Sequence, residues 1–216
     1  MNLTIKTMVS AATILGLFSL IGIGLVTLVH HATESRIAEN QRPTMLHSLQ
    51  NLIPTGTYDN DMLADVIVID DSSLGPKSVT VHRARHFGNP VAAVFSTIAP
   101  DGYGGDIHLL VGVKADGGIL GVRVLEHKET PGLGDFIDES KSNWILGFNG
   151  LFLGNPPEKQ WKVKRDGGVF DQFTGATITP RAVVKAVRNT LDYFNNHRNT
   201  LFIISTHGEF DLSYRE

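Results

Sequence analysis

Residues 8–29, from Met8 to Val29, carry no charged side chain. No other feature of the chain limits its folding as much. At about 1.5 Å per residue a helix of this length crosses a hydrocarbon core about 30 Å thick. A cleaved signal peptide has a shorter apolar stretch and an Ala-x-Ala-like exit, and a soluble core helix is rarely so long and unbroken. The run therefore reads as an uncleaved membrane anchor. Lys6 precedes it, whereas Arg36 beyond it is nearly balanced by Glu34 and Glu39. This charge bias places the N-terminus in the cytoplasm and the bulk of the chain outside.

The rest of the 216 residues suits one globular domain, with a formal charge of −3 that gives no footing for nucleic acid. Cysteine is absent. That excludes disulfides, thiolate nucleophiles and cysteine-held iron–sulfur clusters. Four segments follow: an anchor at 1–31, a polar helical stalk at 32–56, a folded domain at 57–200 and a tail at 201–216. In the stalk Ile37, Leu46, Leu49 and Leu52 are loosely spaced before Pro54-Thr-Gly56. In the domain one strand begins at Val79, and another runs from Val91 to Ile98. Asp106–Lys114 and Ile119–His127 flank a four-residue connection, Ala115–Gly118, as a hairpin. Asp135–Trp144 reads as a short helix. Trp161–Val163 and Val169–Phe170 read as a second hairpin around Lys164–Gly168. The last helix is the clearest element. Thr179 is placed as its N-cap and Pro180 as its first residue, with Val183, Val184, Val187, Leu191 and Phe194 as one apolar stripe. The fold class is α+β: a transmembrane helix, then an antiparallel sheet with peripheral helices.

Just before that helix stands Asp171-Gln-Phe-Thr-Gly-Ala-Thr177. Gly175 lets the backbone approach a ligand closely, Ala176 adds little bulk, and Thr174, Thr177 and Thr179 offer hydroxyls. A helix N-terminus presents unpaired N–H groups and the positive end of the macrodipole, so the place suits a phosphate.

The pattern Asp171-Gln-Phe-Thr174-Gly175-Ala176-Thr177 resembles the flavinylation motif of FMN-binding domains. The continuation Ile178–Val187 and the run His127-Lys-Glu-Thr-Pro-Gly-Leu-Gly134 are similar to the G subunits of Rnf ion-translocating electron-transport complexes. The resemblance implies an FMN-binding domain behind one membrane span. It implies FMN joined through its phosphate to Thr177 by a flavin transferase that uses FAD. It further implies Thr174, Gly175, Ala176 and Thr179 around the phosphate, with Glu129, Thr130, Leu133 and Gly134 touching the ring or ribityl chain. The expected role is an electron relay between NADH and ferredoxin within an ion-translocating assembly in the bacterial inner membrane. The flavin domain would be periplasmic, and other membrane subunits would be its partners.

Three readings compete. They are the C subunit of Na⁺-translocating NADH:quinone reductase, which shares motif and anchor, an anchored binding module without redox chemistry, and a reductase acting alone. Gly102-Tyr-Gly-Gly105 is a weaker candidate cradle, with Tyr103 able to approach the flavin. No His-Glu-x-x-His, no nucleophile elbow and no Gly-x-Gly-x-x-Gly is present, so metal, serine-hydrolase and Rossmann sites are not expected.

Overall fold

The computed structural model describes residues 2–203, without the side chains of 2–5 and 34–42. The Ile37 side chain and the tail beyond 203 therefore lie outside what is described. The chain divides into two compact units, Met1–His47 and Ser48–Glu216.

The described residues of the first unit are all helical. Helix α1 (Asn2–Leu52) runs through the anchor and the stalk, with Pro43 inside it. Its stretch Lys6–Thr33 is long and apolar enough to cross a membrane. Thr13, Thr27 and Thr33 turn their hydroxyls back to the carbonyls of Val9, Ile23 and Val29. In this way these three hydroxyls are satisfied within the helix.

The second unit opens with the last turn of α1 and holds a five-stranded antiparallel meander. Its strands are β1 (Val66–Ile69), β2 (Val79–His86), β3 (Asn89–Ala99), β4 (Ile107–Lys114) and β5 (Ile119–Glu126), in that order across the sheet. The β4–β5 hairpin and the β2 and β3 strands stand where the sequence places them. β1, a four-residue edge strand, goes unread in the sequence because a run so short carries no usable period.

Both faces of the sheet are covered. On one, Val81, Phe95, Leu109 and Val111 pack under helix α2 (Ile178–Leu201), whose Val183, Val184, Val187, Leu191 and Phe194 are all buried. On the other, Leu49, Leu52 and Ile53 are buried. Leu52 fits over Gly112 and Gly121, which face each other across β4 and β5. A Cβ added to Gly121 would come 2.9 Å from Leu52 Cδ2. The glycine pair therefore makes the hollow that receives the leucine.

Two local expectations need correction. Asp135–Trp144 is not one helix but two 3-10 turns, Asp135–Ile137 and Trp144–Phe148, separated by an Asp138 Asx-type turn. Trp161–Phe170 does not form a hairpin either. Lys164–Asp166 is a 3-10 turn closed by Gly167 at φ +84°, and Val163 pairs with Phe170 in a parallel bridge. Gly168 passes so close to Lys162 that an added Cβ would sit 1.8 Å from its carbonyl oxygen. Local turn residues were readable there, but the direction of the returning chain depends on packing.

Candidate functional site

Three segments of the second unit converge at the N-terminus of α2. The first is the motif loop. Ala176 N–H donates to the Phe173 carbonyl at 3.1 Å, closing a turn over Thr174 and Gly175, and Gly175 adopts φ +82°. A turn of this kind needs a residue free to take positive φ at its third position, and glycine does so without strain. Thr177 follows at the N-cap position of α2 in αR geometry, and its side chain makes no capping hydrogen bond. The expected N-cap, Thr179, is instead the second helical residue and fully buried. A threonine before proline imitates a cap, yet the helix starts two residues sooner. Thr179 spends its hydroxyl on another partner.

That partner is in the second segment. Thr130–Leu133 closes a turn with Pro131 and Gly132 at its centre, Leu133 N–H donating to Thr130 O at 3.1 Å, and Gly132 takes φ +76°. Asp135 Oδ1 accepts from Gly132 N–H at 2.7 Å and steadies the turn. Just before it, Glu129 is 5% exposed. Its Oε2 accepts from the Thr179 hydroxyl. Its Oε1 accepts from Gly104 N–H, 2.9 Å away, which brings in the third segment, Gly102–Gly105.

The sequence-derived residues thus occupy one neighbourhood but take different places in it. Thr130, Leu133, Thr174 and Gly175 are exposed, while Ala176 and Thr177 are half-buried. Leu133 lies over the motif turn, its Cδ2 3.4 Å from where a Gly175 Cβ would be. Glu129, Gly134 and Thr179 are buried behind that surface. Tyr103 is exposed on the third segment.

An aromatic group went unread in the sequence. Phe173, inside the motif, meets Phe136 at 5.7 Å and Trp144 at 5.2 Å between ring centroids. Trp144 Nε1–H donates to the Asp171 carbonyl at 2.8 Å and holds the loop on the core. Phe136, Leu133 and Ile178 are partly exposed and give the site an apolar rim. Only Phe173 carried a signal, as the sole aromatic residue of its motif; the others meet it through tertiary folding.

The electrostatics rest on the backbone. The two cations of the first two turns of α2, Arg181 and Lys185, are paired with Asp166 and Asp101 at 2.6 Å. The Arg181 fork holds the Asp166 carboxyl below its usual range. Near Thr177 the positive potential comes from the first-turn amides of α2 and the helix dipole.

Residues 102–192, which contain all three segments, match the FMN-binding domain family, and residues 1–52 match the RnfG N-terminal region. The G subunit of the ion-translocating oxidoreductase complex of Pseudomonas aeruginosa (strain UCBPP-PA14) is 51% identical over 202 residues, covering 92% of this chain and 94% of the relative. The chain belongs to the family of G subunits of ion-translocating oxidoreductase complexes. The G subunit of Shewanella baltica (strain OS223) is 48% identical over 197 residues, or 90% of this chain and 93% of that protein. The G subunit of Vibrio cholerae serotype O1 (strain M66-2) is 46% identical over 189 residues, or 87% and 90%. The family match bears out the resemblance carried by the two motifs and separates this chain from the quinone-reductase rival.

Proposed function

We propose that this G-subunit chain is the membrane-anchored flavoprotein of its complex, with FMN esterified to Thr177 Oγ1 and electrons relayed through that flavin. The observation that carries the reading is the state of Thr177. Its hydroxyl stands at the head of a helix, beside a glycine turn, and is not spent on capping. The surroundings suit FMN. The first-turn amides of α2 favour the phosphate, Gly175 permits close approach, and Leu133, Phe136 and Ile178 offer apolar surface to a flat ring. Thr174, Gly175, Ala176 and Thr177 would hold the phosphate end, and Thr130 and Leu133 would flank the ring. Glu129, Gly134 and Thr179 would support them from behind.

Attachment by a flavin transferase would place Thr177 Oγ1 on the FMN phosphorus of FAD, with loss of the hydroxyl proton and departure of AMP. When bound, FMN supplies the electron-carrying chemistry, and the chain supplies orientation and a water-poor rim. The partners in this reading are the other membrane subunits of the complex. The assembly would lie in the bacterial inner membrane, with the N-terminus cytoplasmic and the flavin domain periplasmic.

Intact-mass measurement of the natively expressed chain tests the bond. An added mass of FMN less one water, and flavin fluorescence from the denatured band, are expected in the parent. Thr177→Ala should lose both, and Thr177→Ser should keep an attachable hydroxyl. A covalent flavin that survives in Thr177→Ala overturns the assignment.

A further inference from the structure

Glu129 is a buried carboxylate at the site, and its surroundings are built around it. One oxygen accepts from the Gly104 amide at 2.9 Å and the other from the Thr179 hydroxyl. Its own N–H donates to His127 Nδ1 at 3.1 Å. Three glycines leave room for it. A Cβ on Gly134 would fall 2.9 Å from both Glu129 Cβ and Oε2 and 3.0 Å from Thr179 Oγ1. On Gly102 it would fall 2.8 Å from Glu129 Oε1, and on Gly104 2.0 Å from the Lys128 carbonyl oxygen. None of these three has a positive φ, so glycine is there for space rather than for backbone freedom. The carboxylate also faces the N-terminal turn of α2, where negative charge is favoured.

We infer that Glu129 is a positioning residue: a buried tie that fixes the Gly102–Gly105 turn and the Thr130–Gly134 turn against the first turn of α2, and so sets where the Thr177 hydroxyl stands. This rests on the flavin reading above, and it gives Glu129 a place behind the ligand surface rather than on it. With Thr179 two residues beyond Thr177 on the same helical turn, releasing the tie frees the attachment point as well as both flanking turns. An error of about 1 Å in such a group is enough to cost function heavily.

The chemistry separates a tie from a charge. Glutamine accepts from the Gly104 amide through its carbonyl and donates through its amide to the Thr179 oxygen, because a hydroxyl takes either role. Alanine does neither. The full-length chain in detergent, co-expressed with its flavin transferase, is compared as parent, Glu129→Gln, Glu129→Ala and Thr179→Val. Covalent flavin per chain and amide hydrogen exchange are both read. In Glu129→Ala, flavin occupancy should fall at least about five-fold, and exchange should rise about ten-fold in 102–105, 128–134 and 176–182 while β2–β4 stay as in the parent. Glu129→Gln should restore both readouts to within about two-fold. If Glu129→Ala does not fold, Thr179→Val removes one arm alone and should loosen 128–134 and 176–182 with a smaller loss of flavin. The inference is overturned if Gln behaves like Ala, or if Ala or Val leaves exchange and occupancy at parent levels. A parent chain without covalent flavin sinks the Thr177 reading instead, while exchange in the three segments still decides the tie.

Discussion

His82 sits on β2 with only 6% of its surface exposed, its Nδ1 3.0 Å from the Met62 carbonyl. Burial pushes its pKa below the usual 6.5, and the Met62 carbonyl offsets this only in part. The folded chain then holds fewer protons at this ring than the unfolded chain does. The associated stability is complete above 6.5 and drains as pH falls below it. A melting temperature that drops between neutral pH and about pH 5, with a flatter profile for His82→Asn, is the expected result of thermal scans. At the same scale, Thr177 and Gly175 were legible because the chemistry of their motif is local. The role of Thr179 was not. A threonine before a proline looks like a cap, and only the fold shows that a glutamate fifty positions earlier takes its hydroxyl. The aromatic support of Phe173 was hidden for the same reason, its partners being distant in the chain.

Helix α2 was the most legible element, since its stripe repeats at helical spacing and each stripe residue is buried as expected. Leu191→Ala should cost about 2–5 kcal/mol in denaturant unfolding, as the sheet beneath cannot collapse to fill the gap. The far end of this helix was not legible. Arg83, 2% exposed, donates through Nη1 to the Leu201 carbonyl at 3.1 Å, and Arg85 donates through Nη2 to the Phe202 carbonyl at 2.7 Å. Asp65 bridges both guanidinium groups. These are last-turn carbonyls that a helix cannot satisfy itself, and the cations suit the negative end of its dipole. Asp65→Ala leaves the buried Arg83 without its countercharge, and a loss of about 3–5 kcal/mol in unfolding free energy is expected. Sequence spacing could not foretell a clamp that joins β2 to residues more than a hundred positions later.

For the whole molecule, the anchor and the antiparallel sheet were readable from one long uncharged run and from alternating short ones. The closing of the sheet by the end of α1 was not, because the glycine hollow at Gly112 and Gly121 becomes visible only in three dimensions. A chain that starts at Ser48 keeps Leu49, Leu52 and Ile53 for that face. One that starts at residue 57 strips them, and should melt lower and bind more of a hydrophobic dye in side-by-side scans. Equal melting of the two would show that the covering turn adds nothing. Finally, α2 is pinned at its head through Glu129 and at its foot through the two arginines, with its flank locked in the sheet between. Anything hung from the oxygen at position 177 is on a short leash, able to swing about its own bonds but not to wander with a floppy loop, so a courier fixed there keeps the same address each time it is met.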